Sequence, residues 1–264
     1  MPGDSAVRRG GPALPVGAGV STLPNMLKAI IFDFDGVLVD SEPAHYQAFA
    51  EVASELGIDL DFSRYLAEMV GFDDREAVRH LLSGESEASV TTAARVAELC
   101  EQKRLAFERI VSRGIEPLPG AMQLLDEAVA QMPVAIASGA LRSDIDIILK
   151  QLDRHDVVHA VVTADDVQRS KPDPQTYLDA AGLLAQRFTE LDLRPGDCLA
   201  IEDTGAGLAS ARAAGLMTLG LTTTGPAEQL HGADRVIDNL AGVTLEKLRR
   251  WYDQVDQDGR STAE

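Results

Sequence analysis

From residue 27 onward, short runs that are apolar throughout alternate with longer stretches that are apolar along one helical face. The short runs are Leu27 to Phe32, Val134 to Ala137, Ala160 to Thr163, Cys198 to Ile201 and Met217 to Leu221. Arg235-Val236-Ile237 is a weaker sixth. None shows the period-two alternation of a strand wetted on one face. They therefore predict strands covered on both faces, as in a parallel sheet between helical layers. Between them, helices are predicted over Ala121 to Ala130, Ser143 to Leu152, Pro174 to Leu184 and Ala206 to Ala214. Thr204 suits the N-cap of the last helix, and Gly215 suits the position just past its end. This succession predicts an open, doubly wound α/β sheet, Rossmann-like in its winding.

The alternation stops between residues 44 and 114. That stretch holds no convincing strand but carries helical patterning in Ala44 to Leu56, Arg64 to Val70, Arg75 to Leu82 and Thr92 to Ile110. The economical reading is a helical domain, 44–114, inserted into an α/β core made of 26–43 and 115–250. Glu116-Pro117-Leu118-Pro119-Gly120 returns the chain to the sheet. Residues 251–264 read as a polar C-terminal tail. Residues 1–25, rich in Gly, Pro, Ala and Ser without helix or strand period, read as a disordered N-terminal tail. Arg8-Arg9 suggests an export signal, but Gly10 to Pro24 is weakly apolar and broken by prolines, which disfavours that reading. Met26, directly before the first strand, leaves open whether the chain starts at Met1 or there.

A formal charge of -18 argues against nucleic acid or an anionic membrane as partner, because both need a basic face. A small anionic substrate stays open, provided local cations or amides offset the field. Cys100 and Cys198 are the only cysteines, too few for a disulfide framework or a cysteine-rich zinc site. No apolar run approaches the ~20 residues that span a bilayer. The expectation is a cytoplasmic protein, monomeric with a dimer left open, that binds neither nucleic acid nor membrane.

Ligands of an open α/β sheet bind beyond the carboxyl ends of its strands. Four of those ends carry chemistry here. The first gives Asp33-Phe34-Asp35-Gly36, two carboxylates two residues apart on a turn. The first of the pair can attack an electrophile and hold a metal; the second can carry protons to and from a leaving group. Gly36 permits a sharp turn that brings amides near an anion. The second strand ends in Ser138-Gly139, suited to a phosphoryl oxygen. Ser170-Lys171-Pro172-Asp173-Pro174 lies beyond the third and offers a cation beside a rigid turn. The fourth ends in Glu202-Asp203-Thr204-Gly205-Ala206-Gly207, adjacent carboxylates before a helix. Taken singly, each has an ordinary reading: a solvated turn, a loop, Pro opening a helix, a capping group. Their order at successive strand ends makes the joint signal strong.

This set resembles the haloacid dehalogenase superfamily of phosphohydrolases over roughly residues 27–240, and the inserted segment resembles that family's helical cap. Asp35-Gly36-Val37-Leu38-Val39-Asp40-Ser41-Glu42 and Glu202 to Gly207 are similar to the branch of β-phosphoglucomutase and the small sugar-phosphate phosphatases. The resemblance implies that Asp33 forms an aspartyl-phosphate while Asp35 serves as general acid and then base. It implies Mg²⁺ held by Asp33, the Asp35 carbonyl, Asp203, and Glu202 directly or through water. Ser138, Gly139, Lys171 and amides near Phe34 and Gly36 would hold phosphoryl oxygens. In the cap, His45 resembles a hinge histidine of that branch, and its ordinary reading is a helix-surface residue near the linker. Arg75, after Gly71-Phe72-Asp73-Asp74, is placed to grip a remote group or to pair with Asp73 or Asp74. Lys103 reads as solvated or anion-contacting in a polar-faced helix. Arg142 is a second substrate contact or simply a helix-start residue.

The implied activity is a Mg²⁺-dependent phosphatase of a small phosphorylated metabolite, with a sugar phosphate favoured as substrate. A β-phosphoglucomutase-type phosphomutase is the alternative, disfavoured because the pattern around Arg75 and Lys103 is not cleanly mutase-like. A catalytically silent binder of a phosphometabolite or a protein is the alternative of another class, and it would have no need of both Asp33 and Asp35.

Overall fold

The computed structural model describes residues 26–69, 74–83 and 92–261. In chain order its elements are β1 (Ala29–Phe32), α1 (Glu42–Glu55), α2 (Phe62–Glu68), α3 (Asp74–Ser83), α4 (Ala93–Val111), α5 (Ala121–Val129), β2 (Val134–Ala137), α6 (Arg142–Gln151), β3 (Ala160–Val162), α7 (Gln175–Arg187), β4 (Cys198–Glu202), α8 (Gly205–Ala213), β5 (Met217–Leu221), β6 (Arg235–Ile237) and α9 (Leu245–Ser261). They form two compact units. One runs to Asp40 and resumes at Glu116; the other is Ser41–Ile115.

The first unit is built on a six-stranded sheet, every neighbouring pair parallel, in the order β3-β2-β1-β4-β5-β6. Both faces of the central strands are buried, which is why their apolar runs are unbroken. Ala29, Ile31, Ala135, Ala137, Ala160, Val162, Cys198 and Ala200 share a cluster with Tyr177, Ala180 and Leu184 of α7 and Ala211 of α8. The alternate positions Ile30, Phe32, Val134, Ile136, Leu199 and Ile201 are equally buried. Each large aliphatic side chain so placed contributes about 1.5–3 kcal/mol, and the small alanines let the helices approach the sheet closely.

The C-terminal segment corrects an expectation. Residues 251–261, read as part of a polar tail, continue α9, where Trp251 is almost fully buried and Tyr252 completely so. Leu245, Leu248, Trp251 and Tyr252 recur at helical spacing. The charges between them in Glu246-Lys247-Leu248-Arg249-Arg250 mask that stripe in the sequence. α9 packs against α5, and the Tyr252 hydroxyl donates to the Gly196 carbonyl.

The second unit is all helical in its described residues. α1 and α4 pack along each other, and Phe49, Val52, Leu60, Tyr65, Val78, Leu81, Val96 and Leu99 make its core. Asp61 caps α2 by accepting from the Arg64 amide (2.8 Å), and Thr92 caps α4 by accepting from the Arg95 amide (3.2 Å). Among the described residues of the chain, no helix is long and apolar enough to cross a membrane.

Candidate active site

Strand register assembles the site. Phe32 lies opposite Ile136 on β2 and Ile201 on β4, and the Asp33 amide donates to the Ile201 carbonyl (2.9 Å). Asp33, at the end of β1, therefore sits abreast of Ala137 and Glu202. The winding of the sheet reverses between β1 and β4, the place where an open α/β sheet leaves a crevice. Beyond Asp33 the chain turns tightly. The Leu38 amide donates to the Phe34 carbonyl and the Gly36 amide to the Val39 carbonyl, both at 2.8 Å. Gly36 has φ +73°, and a Cβ there would collide with the Asp203 carboxylate and the Thr224 hydroxyl. Glycine is thus required twice, by its left-handed backbone and by its missing side chain.

Lys171 holds this end of the sheet together. Its ammonium meets Asp33 Oδ1 at 3.0 Å, Glu202 Oε1 at 2.6 Å and the Ala137 carbonyl at 2.9 Å, which uses all three donors. Asp33 Oδ1 also accepts from the Phe34 amide (2.7 Å). Glu202, wholly buried, accepts from the Tyr177 hydroxyl at Oε1 (2.7 Å). Its Oε2 accepts from the amides of Asp203 (3.2 Å) and Thr204 (3.4 Å) and from the Thr204 hydroxyl (3.2 Å). Asp203 Oδ2 accepts from the Thr224 hydroxyl, whereas its Oδ1 is buried with no hydrogen-bond partner among the described residues. Asp33, Glu202 and Asp203 each bring an oxygen within 4.8 Å of the others.

These contacts set the electrostatics. Burial, then repulsion from Glu202, raises the Asp33 carboxyl well above its usual range, with Lys171 opposing. Burial also pushes Asp203 up to about 7, against the Thr224 hydrogen bond and with help from Glu202. For Lys171 burial works against the charge, but Asp33 and Glu202 outweigh it and raise the ammonium's pKa. Burial and the Glu202 charge raise Tyr177, which keeps its hydroxyl a donor.

A sequence model of haloacid dehalogenase-like hydrolases matches residues 27–215. The chain belongs to this family. β-Phosphoglucomutase of Bacillus subtilis is 32% identical over 234 residues, covering 86% of this chain and 96% of that protein. Hexitol phosphatase A of Escherichia coli is 32% identical over 227 residues, covering 83% and 94%. The crystal structure of CbbY from Rhodobacter sphaeroides in complex with phosphate superposes with a TM-score of 0.71 at 26% identity. It covers 84% of this chain and 99% of that one. Family and site together make the protein an enzyme, a phosphoric monoester hydrolase.

Within this hydrolase, the structure brings together Asp33, Lys171, Glu202 and Asp203, with half-buried Asp35 on the same turn. Ser138 is buried at the neighbouring strand end, its Oγ accepting from the Ala140 amide (3.0 Å), beside exposed Gly139. Two of the expected substrate contacts have partners within the protein. The Gly36 amide is occupied by Val39, so Gly36 serves the site by making room for Asp203. Arg142 opens α6, and its guanidinium is held within the fold: it donates to the Val161 carbonyl (2.9 Å) and pairs with Asp166 at the end of β3. Reading the sequence missed Tyr177, Thr223, whose hydroxyl donates to the Gly36 carbonyl, and Thr224. Thr222-Thr223-Thr224 after β5 was a legible signal, since this is a further strand end. Tyr177 lies within the helix predicted over Pro174 to Leu184, and nothing beside it in the chain marks its hydroxyl's partner.

In the second unit, Lys103 is fully buried rather than solvated. It pairs with Asp74 (2.7 Å), contacts His45 Nδ1 (3.0 Å) and lies over the rings of Phe49 and Phe107, at 5.1 and 5.0 Å from their centroids. Lys103 falls on the same stripe of α4 as Leu99, Ala106 and Phe107, where one charge does not break the periodicity. His45 stacks on Phe107, with centroids 4.2 Å apart. Arg75 is exposed on α3, and Asp74 is taken by Lys103; Gly71, Phe72 and Asp73 lie outside the described residues. Burial, then the Lys103 charge, holds the His45 imidazole well below its usual pKa. A histidine whose folded pKa is depressed stabilises the neutral form, so native protein binds fewer protons than unfolded protein. Stability is then lost as pH falls below the unfolded value of about 6.5. Asp33 and Asp203, whose carboxyls are raised, contribute with the opposite sign in this range, so the His45 term is read as a difference: between pH 5 and 7 the stability of wild type relative to His45→Phe, from denaturant melts, should fall as pH falls; a pH-independent difference would refute the assignment.

Proposed function

We propose that this hydrolase is a Mg²⁺-dependent phosphatase of a small phosphomonoester, a sugar phosphate by preference, acting through an aspartyl-phosphate on Asp33. The observation that carries the reading is Asp33 held by Lys171 beside the unpaired, buried Oδ1 of Asp203. A buried carboxylate oxygen without a donor is costly unless a cation meets it. Hard oxygen donors gathered in this way suit Mg²⁺. Asp33 and Asp203 would hold it with the Asp35 carbonyl. Glu202 would stand one step behind, because both of its oxygens already accept protein donors. Bound there, the ion would neutralise charge between nucleophile and phosphoryl group.

The chain's own groups do the rest. An Asp33 oxygen attacks phosphorus, the new O–P bond forming as the ester P–O bond breaks. Asp35 gives its proton to the departing alkoxide, then takes one from the water that cleaves the aspartyl-phosphate. Lys171 limits repulsion between Asp33 and the incoming phosphate, and Ser138 and Gly139 orient a phosphoryl oxygen. A sugar substrate is favoured because the relatives include a hexitol phosphatase and a β-phosphoglucomutase.

The test is phosphate release from a panel of sugar phosphates and other phosphomonoesters, with Mg²⁺ or EDTA, following sugar 1-phosphates for conversion to 6-phosphates. Metal-dependent release favouring a sugar phosphate is expected. Isomerisation with little release would make the protein a mutase, and silence from folded protein would make it a binder.

A further inference from the structure

We infer that Tyr177 is a positioning residue of this centre: its buried hydroxyl fixes Glu202 so that Lys171 stays aimed at Asp33. The inference rests on the proposed role of Asp33 as nucleophile. Tyr177 is fully buried among Ala180, Leu184, Ala135 and Ala137, surroundings in which phenylalanine would pack as well. Its hydroxyl needs a partner there and finds Glu202 Oε1 at 2.7 Å, the oxygen that Lys171 also meets at 2.6 Å. Its ring lies under the same ammonium, 5.1 Å from the centroid. Tyr177 therefore holds Lys171 twice, through its π face and through Glu202.

The three directions of the ammonium are set by the Ala137 carbonyl, Glu202 and Asp33. Without the phenol, Oε1 loses one of its two donors, and Lys171 becomes its only counterweight. The ammonium is drawn toward Glu202 and away from Asp33, which it meets at the longest of its three distances. The other side of Glu202 stays fastened by Asp203 and Thr204, and Asp203 stays fastened by Thr224. The metal-binding oxygens are thus spared.

The experiment is Tyr177→Phe in the full chain, with three readouts: kcat and KM on the best phosphomonoester, Mg²⁺ binding by calorimetry without substrate, and a crystal structure. About a tenfold drop in kcat is expected, the loss of one hydrogen bond to a charged group. KM and Mg²⁺ affinity should stay within about twofold, with Lys171 displaced from Asp33 in the crystal. An unchanged kcat with only a lower melting temperature would reduce Tyr177 to packing and overturn the inference. So would a Mg²⁺ affinity that falls in parallel with kcat, or a crystal structure with the Lys171–Asp33 contact intact. If the wild-type protein turns over no phosphomonoester, the proposed function fails, and the position of Lys171 in the variant crystal still decides the role of Tyr177.

Discussion

Asp33→Asn is expected to lower phosphate release by at least about 10⁴-fold while leaving the melting temperature close to that of the wild type. The amide keeps the shape of the carboxylate, and its oxygen can still accept from the Phe34 amide that now meets Asp33 Oδ1 at 2.7 Å. What it lacks is the nucleophilic oxygen, and the loss of a nucleophile is among the largest single-residue effects in catalysis. The fold tolerates the change because Asp33 is itself under electrostatic strain. Burial and the neighbouring Glu202 already disfavour its charged form. Removing that charge relieves repulsion as it forfeits the Lys171 pair. Phosphate release by a metal-loaded, mass-verified sample, measured beside the melting curve, checks both halves. Turnover within tenfold of wild type would move the nucleophile elsewhere.

Lys171→Met is expected to remove both activity and much of the stability. The side chain is about 10% exposed and sits between Asp33 and Glu202, the latter wholly enclosed. Methionine restores the volume but leaves two carboxylates without their shared cation. Breaking a buried ion pair by deleting one partner typically costs about 3–5 kcal/mol, because a charge stays buried alone. Set against a total of about 5–15 kcal/mol for an average domain, that is a large fraction. Activity should fall by about 10³-fold or more in the protein that remains folded, since Asp33 and an incoming phosphate would then repel each other unopposed. Urea melts give the stability term, and assays at low temperature on folded protein give the catalytic one. A variant as stable as wild type would show that Glu202 is neutralised by some other route.

Much of this was legible in the sequence, for a definite reason. Unbroken apolar runs mark strands covered on both faces, and helical stripes mark what covers them, so alternation along the chain specified the α/β class. Asp33, Asp35, Ser138, Lys171, Glu202 and Asp203 stood out because strand ends are where such a sheet exposes chemistry. Periodicity reports that a residue is buried, but not what it touches. Arg142 and Lys103 look alike in sequence, as cations on helices, yet one is tied to the carbonyl of Val161 and the other is enclosed beside Asp74 and His45. The aromatic pair in α9 was hidden because charged neighbours dilute its stripe. Tyr177 gave no signal, since its hydroxyl gains meaning only from Glu202, 25 residues away on another element. Local pattern determined the elements and the reactive groups. Register between strands distant in the chain decided which oxygen meets which proton, because a hydrogen bond depends on position in space, which a linear pattern does not carry.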